Sequence, residues 1–328
     1  MVRNNRNRKT LQTLLTLAVA GVSGVVAWAT LVERTRWMLR EVSLPVLPGP
    51  AAPLRVLHLS DLHMAPWQRS KQEWLRQLAV LTPDLVINTG DNLGHPHGVI
   101  GLRRALEPFA GVPGVFVNGS NDYFAPVPKN PLGYFAAPSK LVRNTPRLDT
   151  DELVGFFGEL GWINLNNSAA TLELRGTEVE LFGVDDPHKD YDRLDLMATA
   201  LDDLRADDPH GDDAWPHEAE ALHRPQPAIS IGVAHAPYQR ILNSFITYGA
   251  ELIFAGHTHG GQICLPGVGA LVTNCDIPRS QAKGVSLWHH GPNTAWLSVS
   301  AGLGTSIYAP ARFACRPEAS LVTLVPTE

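Results

Sequence analysis

The sequence predicts an α/β protein behind an N-terminal membrane segment. Three observations carry this prediction: short apolar runs of strand type that each end in chemically active polar residues, stretches of helical spacing between those runs, and an uncharged apolar stretch near the start.

Leu11 to Val32 carries no charged residue, and a hydrocarbon core is crossed by about 20 residues in a helix. The alternative is a cleaved signal peptide, for which Ala27-Trp28-Ala29 offers a small-x-small site. The apolar core of such a peptide runs to only about 7 to 15 residues, so a retained anchor is the reading adopted. Arg3, Arg6, Arg8 and Lys9 precede the segment and Arg34, Arg36 and Arg40 follow it. That small bias leaves the expectation that the catalytic domain lies outside the cytoplasm. Residues 1–33 are thus expected to form a basic tip and anchor, and residues 34–328 one domain.

Val42 to Pro53 is expected to be an extended lead-in, because its prolines remove backbone donors. Strand-type runs then follow at Arg55 to Ser60 before Asp61, Leu85 to Thr89 before Gly90-Asp91, and Val115 to Asn118 before Gly119-Ser120-Asn121-Asp122. Two more are Ile229 to Ala234 before His235 and Leu252 to Ala255 before Gly256-His257. Helical spacing fills Gln72 to Leu81, Ile100 to Phe109, Asp151 to Leu160 and Tyr238 to Tyr248. In open α/β sheets ligands bind outside the carboxyl ends of strands, which is where these polar clusters fall. The acidic, turn-rich run from Asp202 to Glu220 is expected to be a solvated loop.

Composition removes other classes. The 328 residues are 44% hydrophobic and 18% charged, with 27 Lys and Arg against 32 Asp and Glu and a net charge of −5. Disorder is excluded, and the sign is wrong for a protein that lives on phosphate backbones, so no nucleic-acid partner is expected. Cys264, Cys275 and Cys315 are odd in number and lack C-x-x-C spacing. They predict small buried residues rather than a disulfide framework or a zinc ribbon.

Asp61-Leu62-His63 sets a carboxylate and an imidazole two residues apart where a strand ends, so an extended backbone lets both converge on one metal ion. Asp91 adds a carboxylate whose two oxygens can bridge two cations. His235 and the pair His257 and His259 supply imidazoles, and Gly256, Gly260 and Gly261 let backbone approach a ligand closely. Taken singly, each residue has a structural role open to it: Asp61 as a helix cap, His235 as a satisfied core histidine. The ordered set of nitrogen and oxygen ligands without sulfur points instead to hard or borderline divalent metals such as Mn²⁺, Fe or Zn²⁺, in two adjacent sites.

Asp61-x-His63, Gly90-Asp91, Gly119 to Asp122, His235 and Gly256-His257-Thr258-His259 resemble the five blocks of the calcineurin-like metallophosphoesterases. The run Gly256 to Ile263, G-H-T-H-G-G-Q-I, is similar to that of a membrane-associated bacterial subgroup, as are Gly183 to Pro187 and Arg312 to Glu318. The resemblance implies a four-layer α/β/β/α sandwich of two mixed sheets with a di-metal centre between loops. It implies Asp61, His63 and His259 on the first metal, Asp91 bridging, and His235 and His257 on the second.

The third block departs from the family's G-N-H-D/E pattern. Ser120 stands where the family has its ligand Asn, and Asn121 where it has a histidine that assists at the phosphoryl oxygen or leaving group. A local shift that makes Asn121 the ligand is the more economical reading, since an amide carbonyl is a competent oxygen donor and a neutral hydroxyl a poorer one. Asp122 then either faces the phosphate site or folds back onto backbone donors. Gly94 replaces the second acid of the longer G-D-x-x-D pattern. His58 is read as core, and His95, His97, His289 and His290 as surface, with His95 or His97 a minor candidate for substrate contact.

The function expected is hydrolysis of a phosphodiester or pyrophosphate by in-line attack of a hydroxide held between two cations about 3.5 to 4 Å apart. The substrate would be a phosphate-containing small molecule or a lipid-linked phosphate at the membrane. Two other classes compete: a membrane-anchored metal- or phosphate-binding regulatory protein with weakened catalysis, and a metal-dependent amidohydrolase or β-lactamase-type hydrolase. The latter fits poorly, because D-x-H comes first here and H-x-H last.

Overall fold

The computed structural model describes residues 2–128, 145–206 and 229–327. Helix α1 (Val2–Ala27) continues through a wider π turn at Trp28–Val32 and a tighter 3₁₀ turn at Glu33–Thr35. Within it, Gln12–Thr35 is long and apolar enough to cross a membrane, with a mean hydropathy of 2.0.

The chain then forms β1 (Met38–Leu47), β2 (Leu54–Leu59), α2 (Arg69–Gln77), β3 (Leu85–Asn88), α3 (Gly98–Leu106), β4 (Gly114–Phe116) and the single turn α4 (Ser120–Tyr123). After residues 129–144 come α5 (Thr150–Glu159), β5 (Trp162–Asn164), β6 (Ser168–Leu174), β7 (Thr177–Gly183) and α6 (Leu194–Ala206). The last part holds β8 (Ile229–Ala234), α7 (Gln239–Thr247), β9 (Leu252–Ala255), the small hairpin β10 (Cys264–Leu265) and β11 (Gly269–Ala270), β12 (Gly284–His290), β13 (Asn293–Val299) and β14 (Glu318–Pro326).

Among the described residues two six-stranded mixed sheets form, in the orders β1-β14-β2-β3-β4-β5 and β12-β13-β9-β8-β7-β6. In the first, β2 to β5 run parallel and β14 lies antiparallel to β2. In the second, β7, β8, β9 and β13 run parallel, flanked by antiparallel β6 and β12. The first half of the lead-in predicted to be extended, Val42 to Leu47, lies in β1, which pairs in parallel with β14, and the rest, up to Pro53, is a turn and irregular chain.

Strand alternation decides which core each residue enters. Leu54 and Val56 of β2, Leu85 and Ile87 of β3, Ile229, Ile231 and Val233 of β8, and Leu252 and Phe254 of β9 fill one cluster between the sheets. Leu57, Leu59 and Val86 point the other way, against Leu75 of α2, Leu102 of α3 and Phe157 of α5. Ile253 points outward to Ile241, Leu242 and Phe245 of α7 and Leu201 of α6. The layers are therefore helices, sheet, sheet, helices. Asp149 caps α5 by accepting from the Glu152 N–H, which satisfies a donor the first turn leaves open.

The acidic run predicted as a loop begins inside α6, which carries Asp202 and Asp203; residues 207–220 of it lie outside the described residues. His58 is fully buried and pairs with Thr89 Oγ1 at 3.0 Å. Cys264 and Cys315 are buried, and Cys275 is partly so.

Candidate metal centre

β2, β3, β8 and β9 all end at the same edge of the two sheets, and the residues just past those ends converge. The turns they occupy are strained. Asp61, His63, Asp91, His257 and His259 all have φ between 40° and 66°, a left-handed backbone that non-glycine residues rarely adopt and that concentrates at functional sites. Two glycines make the approach possible. A Cβ at Gly90 would stand 2.5 Å from Gly119 N, and one at Gly256 would collide with Ser60 Oγ and stand 2.6 Å from Asp61 Oδ2.

Asp61, His63, Asp91 and His259 form a potential metal-binding cluster whose ligand atoms lie within 4.8 Å of one another. His63 Nε2 is 3.2 Å from His259 Nε2 and 3.6 Å from Asp91 Oδ2; His259 Nε2 is 3.4 Å from Asp61 Oδ1. Asp61 is held by Ser60 Oγ and the His257 N–H, both donating to Oδ2. Its other oxygen, Oδ1, is buried without a hydrogen-bond partner, as is His63 Nδ1. A buried unpaired carboxylate oxygen is costly, and a divalent cation among these oxygen and nitrogen donors would satisfy it. The residues present therefore fit a metal.

A second pair of imidazoles stands on the opposite side of Asp91. His235 Nε2 is 3.6 Å from Asp91 Oδ1 and 3.2 Å from His257 Nδ1. His235 is oriented by donating Nδ1–H to Thr89 O at 2.7 Å, and His257 Nε2 lies 3.2 Å from Asn274 O. Asp91 thus turns one oxygen toward each histidine pair.

The electrostatics follow. Burial drives His63 down to about 4 and lowers His257 and His259, so these rings are neutral and keep a lone pair for a cation. Burial raises Asp61 to about 6. His235 goes the other way: burial opposes its charge, but Asp91, Asp61 and Asp186 outweigh that and hold it up at about 9. Asp91 feels burial too, yet His235 and His63 keep it well below the usual carboxylate range.

The third block sits beside this centre at the start of α4. Asn121 donates its backbone N–H to Asp91 Oδ1 and its side-chain Nδ2 to Asp91 Oδ2, both at 2.7 Å. Turning the amide over would present its carbonyl in the same place. Ser120 turns aside and donates to Asp186 Oδ2 at 2.5 Å. Asp122, sealed from solvent, accepts from the N–H groups of Asn92, Leu93 and Gly119 and from Asn92 Nδ2. Its hydrogen bonds clamp the Asp91 loop to α4.

Several residues beside the centre were not assigned roles by the sequence. Arg312, fully buried, donates to the carbonyls of Ala301, Gly302 and Gly304 and lies 3.2 Å from His259 Nδ1. Lys71 donates to Leu62 O and, at 3.3 Å, to His63 O. His188 lies against His257 with ring centroids 4.6 Å apart and the rings tilted by 42°, and pairs with Tyr238 Oη at 2.9 Å. Tyr123 Oη donates to Asp185. The signal for Asp185 and Asp186 was present: they follow the apolar run of β7, as the other polar clusters follow theirs. His95 is half-buried, edge-on to Trp67 with its ring centroid 5.5 Å from that of the exposed His97, and His289 and His290 are exposed on β12.

The sequence model of the calcineurin-like phosphoesterases matches residues 54–261, from β2 through the turn that carries His257 and His259. The chain belongs to the calcineurin-like phosphoesterase family. It is similar to YpbG of Bacillus subtilis strain 168, 26% identical over 278 residues that cover 83% of this chain and 81% of that protein. It is also similar to the metallophosphoesterase YkuE of the same organism, 24% identical over 83% of this chain and 79% of that one. Among solved structures, TT1561 of Thermus thermophilus aligns over 77% of this chain and 91% of its own, at 14% identity and a TM-score of 0.41. Membership in this calcineurin-like family and the Asp61, His63, Asp91, His259 cluster together make the chain a metal-binding hydrolase of the phosphoesterase type.

Proposed function

We propose that the protein is a membrane-anchored di-metal phosphoesterase that hydrolyses a phosphodiester or a pyrophosphate. The observation that carries the reading is the posture of Asp91, one oxygen toward His63 and the other toward His235. In this reading Asp61, His63 and His259 hold one ion, His235, His257 and Asn121 hold the other, and Asp91 serves both. Mn²⁺, Fe and Zn²⁺ suit the donor set. The bound ions would supply an activated water and neutralise charge on the phosphoryl oxygens.

The chain's own groups prepare that chemistry. His235 carries a proton in the metal-free centre, so loading the second position releases it. Asn121 stands where a family histidine would protonate the leaving group. Esters and anhydrides with good leaving groups are therefore the preferred substrates over simple alkyl monoesters. Residues 1–33 are proposed as tip and anchor and residues 34–328 as the catalytic domain, on the outer side of the membrane, facing a soluble or lipid-linked phosphate. The apolar helix Gln12–Thr35 supports the anchor.

A second reading is favoured by the engagement of Asn121 with Asp91: a metal- or phosphate-binding regulatory protein whose catalysis is weak. The deciding test is Mn²⁺-dependent hydrolysis of bis(p-nitrophenyl) phosphate by the full chain beside Asp91→Asn, with bound metal counted in both. Turnover lost in the variant establishes the phosphoesterase. Two bound ions without turnover above the variant establish the binding protein.

A further inference from the structure

The membrane helix does not leave the catalytic body on a free tether. Ala29 O accepts the Arg312 N–H at 3.0 Å. Glu33, 6% exposed, accepts the Cys315 N–H at 2.7 Å with one carboxylate oxygen and Trp28 Nε1–H at 2.9 Å with the other. Arg316 donates to Arg36 O and Trp37 O. The end of the helix is thereby stapled to the stretch from Arg312 to Arg316.

That stretch is tied in turn to the turn after the last metal-centre histidine. Cys264 N–H donates to Phe313 O at 2.8 Å, Phe313 N–H to Gln262 O at 3.0 Å, and Gln262 Nε2 to Ala309 O at 2.8 Å. On this framework stand four large apolar side chains that the described residues leave uncovered: Leu265 at 47% and Val268 at 72% exposed around the β10–β11 hairpin, and Ile307 and Tyr308 in the loop before Arg312. Trp28 and Leu31 are exposed on the helix end whose Ala29 carbonyl accepts the Arg312 N–H. Single exposed apolar residues are ordinary on any protein; a group gathered where an apolar helix joins the body is not.

We propose that the β10–β11 hairpin and the loop 305–311 form a second membrane contact, dipping into the interfacial layer of the bilayer that α1 crosses. The proposal rests on the reading of α1 as an anchor. The occupant is the lipid surface because the helix end and the hairpin are both hydrogen-bonded to the same short stretch, Arg312 and Phe313. Its chemistry also fits: Trp28 and Tyr308 are the amphipathic rings that favour the interface, and Arg36 and Arg316, both exposed, suit anionic headgroups. The metal centre shares the framework, with His259 three residues before Gln262 and Arg312 against its ring. The substrate class this arrangement serves is an amphiphile whose phosphate lies in the headgroup layer.

The test uses the full chain in vesicles of phosphatidylcholine and phosphatidylglycerol, with a fluorophore at one introduced cysteine in a Cys264→Ala, Cys275→Ser, Cys315→Ala background. Probes go at Val268→Cys, Ile307→Cys, Leu17→Cys in the helix, and Val80→Cys on a remote exposed position. Nitroxide lipids are expected to quench positions 17, 268 and 307, the last two at least about threefold more than position 80, as for side chains buried 5–10 Å into the boundary layer. Quenching at 17 but not at 268 or 307 overturns the second contact and leaves the anchor standing. Shielding of 268 from aqueous iodide without lipid quenching overturns it in favour of a protein partner. No quenching at 17 overturns the anchor and this proposal with it.

Discussion

The two sides of Asp91 are built from the same materials and are not equally finished. On the His63 side, four ligand atoms already converge, a carboxylate oxygen lies unpaired among them, and Arg312 and Lys71 brace the surrounding backbone. On the His235 side, two imidazoles face Asp91, and the third block offers a serine turned away to Asp186 and an amide already engaged with Asp91. In the proposed di-metal reading, the His63 side is preorganised for a cation, whereas the His235 side would need Asn121 to rearrange and His235 to give up its proton. The lesson is that one carboxylate facing two histidine pairs does not make its two sides equivalent: the hydrogen bonds their neighbours already make set how ready each side is for an ion.

Variants sharpen this contrast. The largest effect is expected from Asp91→Asn, which removes the charge common to both sides; activity should fall by about 10³-fold or more and bound metal should drop on both sides by elemental analysis. His259→Ala should break the preorganised side alone, lowering turnover by about 10²- to 10³-fold and leaving at most one ion per chain. Arg312→Met leaves every ligand in place but loosens His259, so metal affinity should weaken by about 10- to 100-fold in a competition titration. Restoring the family block with Ser120→Asn and Asn121→His should finish the weaker side, with a gain up to about 10²-fold seen mainly on alkyl monoesters. No gain there would show that the two sides are already matched.

The smallest effect lies in the strand that leads to Asp61. Burial holds His58 down at about 3, against an ordinary value of 6.5. Between those values the unfolded chain takes up a proton that the folded one refuses, so stability falls as pH falls through the window, by up to about 1.4 kcal/mol per pH unit. His58→Phe, which keeps a ring against Phe254, should flatten that slope in acid unfolding of the metal-free protein.

Much of this was legible in the sequence because its causes are local. Ile229–Ala234 and Leu252–Ala255 match the predicted strands residue for residue, since a buried parallel strand reads as an apolar run that stops where polar residues begin. Helix ends differ from the expected ones by a few residues; Gln72 to Leu81 is Arg69–Gln77 followed by a 3₁₀ turn, because end positions depend on caps and packing. Pairings were not legible. Nothing local in Met38–Leu47 says that its partner is Glu318–Pro326. In the site, the strand-end residues could be named, but the use made of each could not. Asp122 and Ser120 are nearby acceptor and donor types whose directions are set by Asn92 and Asp186, far away in the chain. The sequence marks Arg312 only as the start of the run to Glu318 and assigns it no role, because a buried arginine is recognised by the carbonyls around it, not by its neighbours in sequence.

The pairing of β1 with β14 also bears on how the molecule is made. Leu47 accepts a hydrogen bond from the Thr327 N–H, 280 residues further along. A ribosome releases β1 right behind the apolar N-terminal helix, then has to deliver nearly all the rest of the chain before its partner exists. At roughly 5 to 20 residues per second that strand waits on the order of ten seconds or more with one edge open, so completion of the first sheet has to follow synthesis of nearly the whole chain.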